Sequence, residues 1–360
     1  MQFGLFDHID LAGDRPLAQQ YDERLQLVAA ADAAGFYAYH VAEHHATPLN
    51  TVPVPGVFLG AVARATTRIR MGPMVYLLPL YSPLRIVEEI AILDHLSHGR
   101  MEIGVGRGVS PYELNFHKVD AEKSREIFID AYDCMIAGLT HDRLTYHGPY
   151  YNYDDVPVVL RPLQQPHPAM WYGSSNTVGA VWAGERGLHF ASNGPTARAK
   201  ENIDAYRGAL AQRGSGVEIP HAEFSGGGAI GVSRQIVVAE TDAAAWRIAK
   251  PAHEHIHHNQ MSLRREALRR TDLKSRPGYV DVPSAADFDA AVTEGTCIAG
   301  SPDTVRAAIE QQIEELGINY LICYFMFGTM TLPDALRSLD LFTTYVKPNV
   351  KTDAASAARR

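Results

Sequence analysis

Strand-like and helix-like runs alternate from one end of this 360-residue sequence to the other, and no other feature restricts the possible folds as strongly. Apolar, β-prone stretches occur at 2–7, 36–42, 69–77, 101–106, 169–173, 188–192, 230–239 and 319–325. Each is followed by a helical pattern: 17–34, 55–65, a run from Pro83 to about 96, 122–137, 177–186, 197–213, a run from Asp242, and 333–345. Gly35 closes the first helix as a C-cap. Ser82 and Pro83 open the third, with Ser as N-cap and Pro at the first helical position. Strands joined by helical crossovers make a parallel sheet. Eight such units, with no break in composition, predict an α/β chain folded as one (β/α)8 TIM barrel over residues 1–350 rather than an open sheet.

A minimal barrel takes about 250 residues, so insertions are expected. Residues 142–168, rich in Tyr, Pro and Asp, read as a hairpin-like excursion. Residues 262–295 are polar and carry Arg264, Arg265, Arg269 and Arg270 in one helical stretch. They read as a lid over the barrel mouth or as a solvated insertion. Residues 351–360 read as a disordered tail.

The formal net charge of −8, without a basic run, argues against a nucleic-acid partner. No window reaches the roughly 18 apolar residues of a membrane span. The opening hexapeptide lacks the basic and apolar regions of a signal peptide, so the cytoplasm is expected. Cys134, Cys297 and Cys323 are odd in number and widely spaced, which suits buried thiols rather than a disulfide framework.

In a closed barrel the site lies at the C-terminal ends of the strands. The second predicted strand ends in Glu43-His44-His45, and only one of the two histidines can face the barrel axis. That one is a candidate general base, or a histidine satisfied by a neighbouring loop. The fourth ends in Gly104-Val105-Gly106-Arg107-Gly108. Its glycines admit a flat ligand close to the backbone, and Arg107 supplies charge for a phosphate; alone, the pattern is also a tight turn. The fifth runs through Gly173, Ser174, Ser175 and Asn176 into a helix at Thr177, either a phosphate cradle or plain capping. With Arg125, these groups make a phosphorylated cofactor the economical reading. His253-Glu254-His255-Ile256-His257 matches H-E-x-x-H, the spacing of a zinc hydrolase, or forms a polar helix face.

Taken together, several motifs resemble the luciferase-like flavin monooxygenases over about residues 1–350. They are Phe3-Gly4-Leu5-Phe6, Ala33-Ala34-Gly35-Phe36 before Glu43-His44-His45, and Leu78-Pro79 before Ser82-Pro83. Leu93-Asp94-His95-Leu96-Ser97-His98-Gly99-Arg100 follows, then the glycine run at 104–108, Gly300-Ser301-Pro302-Asp303-Thr304, and Leu316-Gly317-Ile318-Asn319. The resemblance implies a luciferase-like (β/α)8 barrel binding reduced FMN, or in some branches the deazaflavin F420. His44 matches the family's active-site histidine. Met74-Val75 falls where many members carry a non-proline cis peptide behind the flavin ring. Arg107, Arg125, Ser174, Ser175, Asn176 and Thr177 match the flavin-phosphate site. Gly106 stands where the luciferase catalytic subunit has a cysteine, so light emission is not implied.

The activity implied is a two-component monooxygenase. A separate flavin reductase supplies FMNH2, and a peroxyflavin formed with O2 oxygenates a small, largely apolar substrate such as an aldehyde or ketone. A homodimer is implied as well. The alternatives are an F420-dependent oxidoreductase, a zinc hydrolase, and a flavin binder without catalysis.

Overall fold

The computed structural model describes residues 1–108, 110–269 and 287–351. Its strands are β1 (Gln2–Asp7), β2 (Ala38–Val41), β3 (Arg70–Pro73), β4 (Tyr76–Leu77), β5 (Ile103–Gly106), β6 (Arg143–His147), β7 (Asn152–Pro157), β8 (Met170–Ser174), β9 (His189–Ser192), β10 (Ile230–Val238), β11 (Cys297–Gly300) and β12 (Tyr320–Tyr324). The main sheet runs β3-β2-β1-β12-β10-β9-β8-β5-β4, all pairs parallel. β3 and β4 are two halves of one predicted strand, interrupted at the cis peptide Met74–Val75. One half pairs β2 and the other β5, and a parallel bridge between Met71 and Met101 completes the ring. The result is the (β/α)8 barrel that the alternation predicted, with a helix after each of the eight staves.

Several details differ from the sequence reading. β11 and the helix Pro302–Leu316 form an additional βα unit, with β11 joined to the C-terminal half of β10 outside the ring. Four residues, Cys297-Ile298-Ala299-Gly300, are too short a run to stand out by periodicity. A short helix, Pro111–Phe116, adds to the elements the periodicity picked out. The hairpin expected within 142–168 is the antiparallel pair β6–β7. Ser82 does occupy the N-cap before Pro83, but its hydroxyl meets Tyr153 at 3.2 Å instead of capping. Of the insertion at 262–295, the helix Ser262–Arg269 is observed; the part carrying Arg270 and running to 286, like tail residues 352–360, lies outside the described residues.

Apolar faces of strands and helices pack into one large core between the barrel wall and the outer helices. A second cluster, formed around Tyr37, Trp171, Phe224, Tyr320 and Ile322, fills the barrel interior at its N-terminal end. Gly4 makes room for Tyr320, whose hydroxyl lies where a Cβ at position 4 would fall. The Tyr320 hydroxyl in turn meets His40 Nε2 at 2.9 Å. Below it, the buried Glu102 carboxylate accepts from the Tyr37 hydroxyl (2.5 Å), Arg70 Nε (2.6 Å) and Trp171 Nε1 (2.6 Å). Burial alone would raise its pKa, but Arg70, with help from His221 and His40, holds the carboxyl below its ordinary value.

Glu102→Gln removes the charge facing Arg70 and turns one accepting oxygen into a donor, so it should destabilise the chain by about 3–5 kcal/mol in urea unfolding at neutral pH. A depressed native pKa means that the carboxylate's contribution is present above the unfolded value of about 4.3 and fades as pH falls through the native one. The difference between wild type and variant should therefore shrink in acid; a pH-independent difference would contradict this account.

Candidate active site

The C-terminal ends of the strands surround a cavity of about 500 Å³. Its wall is contributed by Phe6 at the end of β1, Glu43 and His44 after β2, Met74, Val75 and Leu77 at the β3/β4 break, and Gly106 and Arg107 at β5. Gly173, Ser174, Ser175 and Asn176 come from the end of β8, Asn193 and Gly194 follow β9, Gln235 comes from β10 and Tyr324 from β12. Arg107, Tyr172 and Asn176 also line a smaller cavity of about 180 Å³, completed by Arg125, Val178 and Gly179 among others. The two cavities thus adjoin at Arg107 and Asn176.

The small cavity concentrates positive charge. Arg107 and Arg125 are both exposed and form no ion pair among the described residues. Both act on the buried Tyr172 hydroxyl, whose pKa is raised by burial while the two guanidinium groups oppose the rise. The helix Thr177–Arg186 points its N-terminus at this spot. Its start is more occupied than the sequence reading assumed. Asn176 is the N-cap, its Oδ1 accepting from Gly179 N–H at 2.9 Å. The Ser174 hydroxyl donates to Asn176 O at 2.8 Å and receives Asn176 N–H at 3.2 Å. Ser175 remains exposed at the cavity, whereas Thr177 lines neither cavity.

Two of the glycines also make room for a protein neighbour. A Cβ on Gly106 would lie 2.3 Å from Val75 Cγ2, and one on Gly104 would lie 2.1 Å from the Pro73 carbonyl oxygen. Their missing side chains let β5 press against the Pro73–Val75 turn, and so set where that turn meets the cavity. Gly173 is the more open position, 3.5 Å from Val75 and 3.8 Å from Met74.

β2 ends at Val41, so Glu43, His44 and His45 lie on the loop beyond it and strand alternation does not orient them. Of the two histidines, His44 lines the cavity. Its Nδ1 stands 3.1 Å from Glu113 Oε1, and the same oxygen accepts from His45 N–H at 2.6 Å. His45 turns away to Glu43 Oε1 at 2.8 Å, while Glu43 Oε2 takes Leu77 N–H and the Tyr81 hydroxyl. His8 stacks on His44 with ring centroids 5.5 Å apart and an interplanar angle of 21°. Burial, and secondarily His44, holds its pKa well below the usual histidine value. Neither Glu113 nor His8 was singled out from sequence. Glu113 sits on an unrecognised helix, and a lone histidine after β1 carries no motif.

His253, from the H-E-x-x-H stretch, lines the cavity instead of the outer face of its helix, Asp242–Gln260. Its Nδ1 lies 2.7 Å from Gln235 Oε1, and His255 Nε2 donates to the Leu11 carbonyl at 2.8 Å. Among the described residues no group of three or more His, Cys, Asp or Glu is arranged to hold a metal ion. No helix among them is long and apolar enough to cross a membrane.

Known proteins share the fold that carries this cavity. The profile of the luciferase-like monooxygenases matches residues 1–320. A Sinorhizobium fredii protein, y4wF, is 37% identical over 337 residues, 93% of each chain. The 2,5-diketocamphane 1,2-monooxygenase 2 of Pseudomonas putida is 25% identical across 98% of this chain and all of its own. The oxygenase component of the flavin-dependent trigonelline monooxygenase of Acinetobacter baylyi is 28% identical over 52% of this chain and 53% of its own. Among solved structures, monooxygenase RslO1 of Streptomyces bottropensis superimposes with a TM-score of 0.84 at 23% identity, covering 98% of this chain and 100% of that one. The oxygenating constituent of 3,6-diketocamphane monooxygenase from Pseudomonas putida, solved with FMN, gives 0.78 at 22%, covering 98% and 99%. An F420-dependent secondary alcohol dehydrogenase gives 0.72 at 14%, covering 98% and 99%.

Because the Pro73 carbonyl is backbone and Val75 Cγ2 is a rotatable methyl, the two glycine substitutions should differ. Gly104→Ala is expected to cost about 1–3 kcal/mol through overpacking, with Gly106→Ala costing less, as read by urea denaturation. The reverse order would mean that the β5 contact is not what holds the turn.

Proposed function

Since the chain belongs to the luciferase-like monooxygenase family, we propose that it is the oxygenase of a two-component flavin system. Reduced FMN, delivered by a separate reductase, and O2 would act on a small organic substrate at the barrel mouth. Its named relatives are monooxygenases, and the chain is accordingly an oxygen-incorporating flavin oxidoreductase. The relative named as an oxygenase component supports the reductase partner, and the related structure solved with FMN supports the cofactor.

One observation carries the reading: two arginines without an ion pair among the described residues converge on a small cavity that adjoins a larger one holding His44. Arg107 and Arg125 would grip the phosphate, with exposed Ser175 and the amides at the start of the helix Thr177–Arg186 as further donors. Thr177 belongs to this set by family resemblance only. Met74, Val75, Gly106, Gly173 and Ser174 would form the bed for the ring. Flavin supplies the activation of oxygen, which no side chain performs. His44 Nε2 is the group available to give or take a proton there, because Nδ1 is committed to Glu113. Glu113 therefore acts as a positioning residue, holding both the His44 ring and the His45 backbone. Phe6, Leu77 and Tyr324 supply an apolar flank for the substrate and limit water around it. A cytoplasmic setting and, by family resemblance, a homodimer complete the proposal.

Similarity to F420-dependent structures supports a second reading, hydride transfer with a deazaflavin, although that likeness is one of fold. Titration of the purified chain with FMN and F420, followed by stopped-flow mixing of the reduced complex with O2, separates the two.

If the phosphate site is as described, FMN should bind more tightly than riboflavin, and Arg107→Ala or Arg125→Ala should weaken FMN by roughly tenfold or more. Riboflavin affinity should change little, and equal losses for both ligands would place the phosphate elsewhere. His44→Ala and Glu113→Gln should retain FMN affinity, with Glu113→Gln lowering turnover by about ten- to a hundredfold, the usual size of a supporting hydrogen bond's effect.

A further inference from the structure

The side of the cavity formed by β10 and the helix after it is more polar than the sequence suggested. In the ring of eight staves, β10 stands opposite the β3/β4 break. Gln235 on β10 and His253 on the helix Asp242–Gln260 therefore face Met74 and Val75 across the mouth, with Ser233, Gln260 and Thr296 near them. Phe288 packs edge-on against the His253 ring at 5.8 Å, fixing its plane. The 2.7 Å contact between His253 Nδ1 and Gln235 Oε1 is the one hydrogen bond of either side chain with the described residues.

An amide bonded to a neutral imidazole spends one donor and one acceptor on the shared bond. If the imidazole donates, its Nε2 keeps a lone pair and the amide keeps its NH2. If the Gln235 amide is turned over so that its NH2 donates, the His253 Nε2 carries the hydrogen and the amide oxygen stays free. Either arrangement leaves one donor and one acceptor. The ring is held neutral because burial, followed by the nearby His257, lowers the His253 pKa.

We infer that Gln235 and His253 form the recognition edge for a substrate head group that is neutral and carries an acceptor and a donor on one carbonyl carbon: a carboxamide or a lactam. The apolar remainder of the molecule would lie against Phe6, Leu77 and Tyr324, whose hydroxyl is already turned to Asp10 at 3.3 Å. A carboxylate meets this edge with two acceptors and sets one against a lone pair. A plain ketone or hydrocarbon leaves a cavity donor or acceptor without a partner. The inference rests on the flavin reading, in which the cofactor ring covers the Met74–Val75 side.

Benzamide, benzoate and acetophenone share one ring and differ at the head, and calorimetry on the FMN-loaded protein can rank them. Benzamide should bind about tenfold more tightly than either, the scale of one net hydrogen bond. The isosteric Gln235→Leu and the shape-preserving His253→Phe should each abolish that preference and leave FMN affinity within twofold. His253→Gln, which restores a donor and an acceptor, should recover part of it. Equal binding of the three probes to wild type overturns the inference, and so does a preference that survives both Gln235→Leu and His253→Phe. Failure of FMN to bind overturns the flavin reading instead; the same ranking on flavin-free protein then judges the head-group preference separately.

Discussion

Closure of a parallel sheet on itself is the constraint on which the remaining features depend. A ring of strands is complete only when its last member finds a partner, and here it does so through a stave broken in two. β3 continues the hydrogen bonding of β2, β4 that of β5, and the intervening Met74–Val75 peptide is left to face the mouth. β5 can approach because Gly104 and Gly106 have no side chains to hold it off. A structural requirement of closure thus creates the surface proposed as the bed of the cofactor. Since all eight staves run the same way, each delivers its C-terminal residues to the same opening.

Much of this was legible in the sequence, for identifiable reasons. The staves are short and apolar, the crossovers long and amphipathic, and the contrast between the two periods survives without any alignment. Family motifs such as Leu93–Arg100 drew attention as signatures, yet their work is structural. Arg100 is buried and gives its hydrogens to the Ala63, Thr66, Ile69 and Ser97 carbonyls and the Thr66 hydroxyl, tying two crossovers to the floor. His44, Arg107 and the β8–helix junction were legible because each lies at the end of a predicted stave. Glu113 and Gln235 were not, since nothing local distinguishes a carboxylate on a short helix, or a glutamine in an apolar strand, from its neighbours. Only the closed ring brings them to the cavity.

The charge arrangement of the cavity also follows from its construction. The strong, permanent cations stand at the small cavity beside β5 and β8, where solvent remains close. The imidazole of His8 follows β1 and that of His253 lies on the helix after β10, where burial keeps them uncharged. The carboxylates nearest the mouth, Glu43 and Glu113, are each surrounded by donors and unavailable for other work. A single cavity therefore offers an anion-binding end beside β5 and β8 and a neutral hydrogen-bonding edge at β10, with β9 between them.

The aromatic packing at the other end of the barrel has one further consequence. With Tyr320, Trp171 and Phe224 filling the interior beneath the cavity, the chamber is a well with a floor and not a tunnel. A chamber closed at its base has one doorway, so arrival and departure share the same opening among the described residues.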